Sequence, residues 1–285
     1  MQAAALFAAI AAVQAPAPAF DAWALRTARP AAFAAELARL RAEWTDSTAF
    51  AGHERFALMV LADKAGSAAE YRRRVAELTA YRNRVRAEAA EILAGRFRTE
   101  WLNGHWANNA VRAREPEVRA LFRRVFADQH QLMSEAPPTL GEAGSAVVAG
   151  DVRTLARSNA AWLKTVLARI GWFDIPRFGR NASQAAWLIV QHSDHDPAWQ
   201  AEILEMLRSR QARGDVEARH VAYLVDRVAV NGVRPQTYGT QGRCMPSGEW
   251  QPRAVIDPEN LDRRRAEVEL EPIAAYRARF TCPAA

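Results

Sequence analysis

Lysine is almost absent from this chain of 285 residues, because Lys64 and Lys164 are its only two lysines. Arginine therefore supplies nearly all of the 38 basic residues, which outnumber the 32 acidic residues by six. This surplus is divided about evenly between the two halves of the chain and forms no basic arm. Since nucleic-acid binding relies on a concentrated basic patch, we predict no nucleic-acid partner.

Long hydrophobic runs and the common catalytic fingerprints are also missing. Half of the residues are hydrophobic and a quarter are charged, which is typical of a globular chain and excludes a polytopic membrane protein. The sequence contains no Gly-x-Ser-x-Gly, P-loop, dinucleotide-binding, Cys-x-x-Cys or His-Glu-x-x-His motif. We therefore predict no cofactor.

The segment His192-Ser-Asp-His-Asp196 is the one place that suggests a metal site. However, Asp196 directly precedes Pro197, which is the pattern of a helix N-cap followed by proline at the first helical position. Only His192 and His195 then remain as ligands, and two ligands are too few. We predict no metal site.

The first 19 residues are similar to an export signal. Residues 3–13 are apolar and rich in alanine, and residues 14–19 are mostly small and offer an Ala-x-Ala type of cleavage site. The positively charged segment that usually opens such a signal is absent, so a buried first helix is the alternative. Pro16 and Pro18 interrupt the run, which is too short for a membrane span of about 20 residues. We predict a signal peptide over residues 1–19, a periplasmic or secreted protein, and no stable membrane anchor.

The chain has two cysteines, Cys244 and Cys282. In an exported protein an even number of cysteines favours a disulfide, whereas two unrelated buried thiols are the alternative. A cross-link over this distance in sequence would contribute about 4 kcal/mol in the chain-entropy model. We predict a disulfide between them.

Helical periodicity dominates the sequence, as in the run from Ser67 to Leu93, where apolar residues recur every three or four positions. The period is lost between Gln236 and Ile256, where glycine and proline separate short extended pieces. We predict a mainly α fold, an orthogonal or irregular helical bundle with a small extended or hairpin segment near residues 236–256.

The same pattern predicts the organisation of the chain. A helical N-terminal region is expected over residues 20–112, followed by a helical domain over residues 113–285. One helix is expected over about residues 20–44. Residues 103–109 and 141–150 contain helix-breaking residues and are expected to be loops.

Several polar residues interrupt apolar helix faces. Asp128 and Gln129 lie inside the apolar stripe of one predicted helix, and Gln191 and His192 end an apolar one. Buried polar groups need hydrogen-bond partners, so these residues belong either to a structural network or to a functional site. Asp226 and its neighbour Arg227 point in different directions on a helix, so we expect them to serve different partners. Asp128 or Asp194 is the expected partner of the arginine.

The segment Gln236-Thr-Tyr-Gly-Thr-Gln241 follows the helix that carries Asp226. It places two amides, two hydroxyls, a phenol and a glycine within six loop residues, which suits ligand recognition. A hydrogen-bonded turn is the alternative interpretation.

Taken in order, these short motifs resemble an uncharacterised bacterial domain family whose members are often exported. The likeness covers about residues 118–276 and includes the following motifs: Asp128-Gln129, Gly171-Trp172, Gln191-His192, Asp194, Gln200, Tyr223-Leu224, Asp226-Arg227, Gln236 to Gln241, Arg264-Arg265 and Pro272-x-x-x-Tyr276. This chain departs from the family pattern at residues 130–132 and has Phe173 where proline is usual. The resemblance implies a shared site but no known activity.

Two hypotheses follow from these residues. In the first, the chain is a hydrolase or transferase, with His192 as general base and Asp226 or Asp128 orienting it. Arg227 would hold an anionic substrate group, and the loop would donate hydrogen bonds to a developing oxyanion. The residues assigned to ligand binding are Gln129, Gln191, Arg227, Gln236, Tyr238, Thr240 and Gln241.

In the second hypothesis, the chain is a noncatalytic helical binding or scaffold module. The same polar residues then form a buried network, and the expected partner is a small molecule or a peptide. An enzyme requires these side chains to meet in a pocket that solvent can reach, whereas a scaffold requires them to be sealed and mutually hydrogen-bonded.

Overall fold

The structure, a computed structural model, describes residues 20–46 and 50–282. The predicted signal peptide, residues 1–19, lies outside the described residues. The described chain forms two compact units, one ending at Ser158 and the other beginning at Asn159. The predicted domain boundary near residue 112 stays a prediction.

Helices make up most of both units. The first unit contains α1 (Ala22–Ala28), α2 (Pro30–Asp46), α3 (His53–Lys64), α4 (Ala68–Ala94), α5 (His105–Arg112), α6 (Pro116–Leu132) and the first part of α7 (Gly141–Ile170). The second unit contains the end of α7, followed by α8 (Ile175–Phe178), α9 (Arg180–Gln191), α10 (Pro197–Gln211), α11 (Ala218–Asn231), the strands β1 (Gly242–Cys244) and β2 (Trp250–Pro252), α12 (Leu261–Glu267) and α13 (Ile273–Arg277). The mainly α fold is confirmed.

The expectation of one helix over residues 20–44 was wrong, because the chain breaks between α1 and α2. Arg29 leaves the helical region with φ −142° and ψ 65°, and Pro30 starts the next helix. A residue before proline is driven away from helical geometry, and proline itself is well placed in a first helical turn. The break therefore follows from one residue, Pro30.

The glycines of residues 141–150 also led to a wrong expectation, since this segment is the start of α7 rather than a loop. A Cβ atom added to Gly144 would collide with Ala136, and one added to Gly150 would lie 3.1 Å from the Cβ atom of His53. These glycines therefore allow close packing. Residues 103–109 are likewise more helical than expected, since α5 begins at His105.

Asp151 of α7 connects two helices of the first unit. Its carboxylate is almost fully buried and accepts hydrogen bonds from Arg82 and Arg86 of α4, the shortest being 2.7 Å from Arg86 Nη2. A buried carboxylate is costly unless it is paired, and here two guanidinium groups compensate for its burial. The pairs fix α4 against α7.

The predicted hairpin is confirmed in the second unit. β1 and β2 pair antiparallel, with Gly242 opposite Pro252 and Cys244 opposite Trp250. The predicted disulfide joins Cys244 to Cys282, with 5.5 Å between their Cα atoms. The cross-link ties the end of the described chain to the hairpin. Among the described residues, no helix has the length and apolar character needed to cross a bilayer.

Candidate functional site

Asp226 of α11 organises the loop that follows its helix. Its side chain is completely buried, at 0% exposure. One carboxylate oxygen accepts hydrogen bonds from the backbone N–H groups of Thr237 and Tyr238, at 2.8 and 2.9 Å. The other accepts from the N–H and hydroxyl groups of Thr240, at 2.8 and 2.9 Å. All four donors come from one loop, so this carboxylate fixes the loop conformation.

The two loop amides, predicted to bind ligand, are committed to the loop itself. Gln236 Nε2 donates to the carbonyl oxygens of Gln241 and Arg253, at 2.8 and 3.0 Å. Gln241 N donates to Gln236 Oε1 at 2.6 Å, and Gln241 Nε2 donates to the Thr240 hydroxyl at 2.9 Å. We call Asp226, Gln236, Thr240 and Gln241 the loop network. Its members are buried and mutually hydrogen-bonded.

Side chains from α12 and α13 hold the loop carbonyl groups. Arg265, which is fully buried, donates to the carbonyl oxygen of Tyr238 at 2.6 Å. The Tyr276 hydroxyl donates to the carbonyl oxygen of Thr240 at 3.1 Å, and Arg264 Nε donates to that of Thr237 at 3.0 Å. The backbone of this loop is therefore anchored through both its N–H and its C=O groups. This is the hydrogen-bonded turn that the sequence left open as an alternative.

Two opposing effects act on the pKa of Asp226. Burial raises the pKa of Asp226 above its ordinary value, and the four hydrogen bonds from neutral donors oppose that rise. Burial likewise raises the pKa of the half-buried Tyr238. The dipoles of these N–H and O–H groups therefore offset the cost of burying the Asp226 carboxylate.

A second polar group surrounds Asp194, in the turn between α9 and α10. Asp194 Oδ1 accepts hydrogen bonds from Asn231 Nδ2 at 2.9 Å and Gln200 Nε2 at 3.3 Å. Its Oδ2 accepts from Arg227 Nη1 at 3.3 Å, while Asn231 Nδ2 also donates to Gln200 Oε1 at 2.8 Å. We call Asp194, Gln200, Arg227 and Asn231 the Asp194 network. The side chains of Asp194 and Arg227 remain 23% and 25% exposed.

The prediction that Asp226 and Arg227 have different partners is confirmed. Asp226 holds the loop, whereas Arg227 pairs with Asp194, one of the two carboxylates proposed for it. The two side chains leave α11 in different directions, as adjacent helical positions require.

Two side chains of the Asp194 network, Arg227 and Asn231, are among the nine described residues that have a buried polar atom without a hydrogen-bond partner. In the part of the chain that the structure describes, Arg227 Nε and Asn231 Oδ1 are buried and lack a hydrogen-bond partner. The same holds for Oε1 of Gln191, whose backbone carbonyl oxygen accepts from Gln200 Nε2 at 3.4 Å. Buried polar groups are nearly always satisfied in native proteins, because an unmade hydrogen bond costs stability. Arg265, which donates to the loop, also has such an atom, Nη2.

The predicted catalytic residues occupy different environments. His192 is half-buried and forms the C-cap of α9 in the second unit. Asp128 is buried on α6 of the first unit, where its Oδ2 accepts a hydrogen bond from Gln129 Nε2 at 3.1 Å. Asp226 accepts four hydrogen bonds from the loop. The catalytic roles of these three residues stay predictions.

The sequence analysis did not assign a role to a buried histidine on α11. His220 stacks on Trp187 with 4.4 Å between ring centroids, and its Nε2 lies 3.5 Å from Glu217 Oε2. Burial lowers the pKa of His220 to about 4, so the imidazole is neutral at pH 7. Glu217 is the N-cap of α11, and its position three residues before His220 was the available signal.

The described residues do not form an evident metal centre. Across residues 20–46 and 50–282, no three His, Cys, Asp or Glu side chains are grouped so that they could hold an ion. Asp196 is the N-cap of α10, accepting a hydrogen bond from Trp199 N at 3.1 Å, and Pro197 occupies the first helical position. The segment 192–196 is thus a helix connection, as its Asp-Pro pair predicted.

Comparison with known protein families matches residues 131–281 to DUF6624, a family of unknown function. The match covers more than half of the chain. The chain belongs to this family. No curated protein and no solved structure matches the chain.

The match confirms an uncharacterised domain family over residues 131–281, whereas the motif pattern over about residues 118–276 stays a prediction. The matched segment contains the loop network, the Asp194 network and Cys244. Asp128 and Gln129 precede it. The family supplies no activity, so the chemistry of the chain has to be inferred from these networks.

Proposed function

We propose that this chain is an exported helical binding module that recognises a small polar ligand at the Asp194 network. The observation that carries the proposal is the set of buried, unpartnered polar atoms Gln191 Oε1, Arg227 Nε and Asn231 Oδ1 among the described residues. One donor and two acceptors, beside a partly exposed carboxylate, match a ligand that both accepts and donates hydrogen bonds.

The loop network supports a binding module over an enzyme. The sequence hypothesis for catalysis required Asp226 and the loop to face a pocket that solvent reaches. Instead, Asp226, Gln236 and Thr240 are buried and hydrogen-bonded to one another or to nearby backbone. In this proposal they form a rigid support for the C-terminal part of the second unit, and α11 carries both the support and the ligand contact through Arg227.

Export is part of the same proposal. The disulfide between Cys244 and Cys282 supports it, because disulfides persist mainly in oxidising compartments. Residues 1–19 would be the signal peptide of a bacterial protein, and the motifs from Gln191 to Gln241 would define the site shared by the family. Cell fractionation of the full chain, followed by mass determination of the processed product, tests this step.

Thermal denaturation with a panel of neutral monosaccharides, free amino acids and dipeptides tests the binding site. A ligand that binds the folded state raises Tm by mass action. We expect at least one probe class to raise the Tm of the wild type and of the control Gln211→Met, but not that of Gln191→Met. A probe that shifts all three proteins equally would place its site elsewhere.

A ligand-free measurement tests the same assignment. Gln191→Met keeps the volume of the side chain and removes an unpartnered buried oxygen, so we expect unchanged or slightly higher stability, within about 0.5 kcal/mol. A loss on the order of 2 kcal/mol would show that Gln191 is a structural residue.

A hydrolase or transferase is the second candidate, favoured by the position of His192 directly after Gln191. In that case His192→Ala would leave Tm nearly unchanged and abolish turnover of a ligand found in the panel. If turnover persists, His192 is not the general base.

A further inference from the structure

A groove lies on the second unit between the C-terminal part of α7 and α10. Its volume is about 540 Å³, within the range of small-molecule sites. Its apolar lining residues are Leu167, Ala168, Ala198, Ile203 and Met206, and Trp199 adds an aromatic ring. The polar residues of its lining are Lys164, Asp196 and Glu202. None of these residues belongs to the Asp194 network.

The groove already holds one ammonium group, that of Lys164. Lys164 Nζ lies 2.6 Å from Asp196 Oδ2 and 5.0 Å from the centroid of the Trp199 ring. The other oxygen of Asp196 accepts the N–H of Trp199, which fixes the carboxylate in place. A carboxylate beside the face of a tryptophan is a recognised environment for an organic cation. The position of Lys164 therefore shows that an ammonium group fits beside Asp196 and Trp199.

The pair formed by Lys164 and Asp196 is open to exchange. Their side chains are 42% and 31% exposed, and partly exposed ion pairs contribute little to stability. A second ammonium group would therefore displace Lys164 at small cost. The lysine side chain, once released, is long enough to extend into solvent.

The charge of the lining decides between an amine and an acid as the ligand. Lys164 supplies one positive charge, whereas Asp196 and the exposed Glu202 supply two negative charges. The excess of one negative charge favours a ligand cation over a ligand anion. The apolar wall requires that this cation carry a hydrophobic body.

We propose that this groove binds a primary amine with an apolar body, whose ammonium group takes the place of Lys164 beside Asp196 and Trp199. The apolar body then lies along the partly exposed Leu167 and Met206, and Glu202 adds electrostatic attraction. This site is independent of the ligand proposed for the Asp194 network.

Isothermal titration of the full chain with 4-phenylbutylamine tests the proposal. The uncharged 4-phenylbutanol and the anionic 4-phenylbutyrate have the same body and serve as probes of charge. We expect the amine to bind at least about tenfold more tightly than either, since only the amine gains the ion pair and the cation–π contact.

The decisive variant is Lys164→Met, which removes the competing ammonium group. We expect it to bind the amine about fivefold more tightly than the wild type does, because Asp196 is then unpaired. Lys64→Met, at the only other lysine of the chain, is the matched control and leaves binding unchanged. Glu202→Gln, at an exposed position, weakens amine binding about threefold and keeps the test available if Lys164→Met folds poorly.

Three results would overturn the proposal: tighter binding of the acid than of the amine, weaker amine binding by Lys164→Met, or no heat of amine binding at millimolar concentration. Tighter binding of the acid would indicate an anion site at Lys164 instead. Gln191→Met should leave amine binding unchanged, so failure here and failure at the Asp194 network are distinguishable.

Discussion

The loop network and the Asp194 network are both centred on an aspartate of the second unit, yet they treat it differently. Asp226 is fully buried, and its four hydrogen bonds come from backbone and hydroxyl groups of one loop. Asp194 is partly exposed and lies next to buried atoms of Arg227 and Asn231 that lack partners in the described chain. We infer that the first network serves folding and that the second is the one that binds a ligand, since buried polar groups are nearly always hydrogen-bonded in native proteins.

The first unit shows a third way to bury an aspartate. Asp151 is almost as buried as Asp226, but it is neutralised by the guanidinium groups of Arg82 and Arg86. Its compensation comes from two long side chains of another helix. Asp226 instead compensates its charge with backbone groups of a nearby segment. Substitution should therefore disturb a loop in one case and a helix pair in the other.

The largest expected effect belongs to Asp226→Asn. The new amide N–H₂ group would face two of the four donors, leaving them unsatisfied in the interior. We expect a loss on the order of 4 kcal/mol in the free energy of unfolding, measured by urea titration. Asp215→Asn is the matched control, because Asp215 pairs with the exposed Arg213 and should lose less than about 1 kcal/mol. Equal losses in the two variants would contradict the assignment of Asp226 as the residue that holds the loop.

Removal of the disulfide should have the next largest effect. The double variant Cys244→Ser and Cys282→Ser opens a link across 38 residues of sequence, and we expect a loss of up to about 4 kcal/mol. The wild type with a reducing agent should match the variant without it. A variant as stable as the oxidised wild type would show that the hairpin and the loop network need no cross-link.

Acid should destabilise the second unit through His220. Burial lowers the pKa of His220 from the ordinary 6.5 to about 4. Between pH 6.5 and pH 4, His220 is therefore protonated in the unfolded chain and neutral in the folded chain. Stability is therefore retained above pH 6.5 and lost as the pH falls towards 4, by up to about 3 kcal/mol. His220→Phe keeps a ring against Trp187 and should flatten this dependence in urea titrations at pH 7 to 4. An unchanged slope would assign the acid sensitivity to other groups.

The smallest of these effects is expected for Asp194→Asn. Its carboxylate is partly exposed, and its contact with Arg227 is a single 3.3 Å hydrogen bond, so the loss should be about 1 kcal/mol. The ratio of this loss to that of Asp226→Asn is a direct measure of the contrast between the networks. A loss as large as that of Asp226→Asn would make both networks structural.

The sequence predicted the elements of the second unit better than the contacts of its site. Asp196 and Pro197 marked the start of α10, and the glycines after Gly239 marked the hairpin, since these signals are local. The density of polar groups in the loop suggested ligand binding. From the sequence, the side chain of Gln236 could contact either a ligand or the backbone of Gln241. Which contact forms depends on where Asp226 lies on α11, and no local sequence pattern encodes that position. The glycines of α7 misled for the same reason, because their close neighbours, Ala136 and His53, come from elsewhere in the chain.

The backbone N–H groups of Thr237, Tyr238 and Thr240 converge on one carboxylate. Gly239, with φ +65°, allows the turn that brings them together. Such a concave set of amides is an anion receptor, and here the anion is supplied by the same polypeptide. In Asp226→Ala the receptor would persist without its anion, and added formate should restore part of the lost stability by occupying it. The loop is in this sense a receptor with a tethered ligand, α11 being the tether.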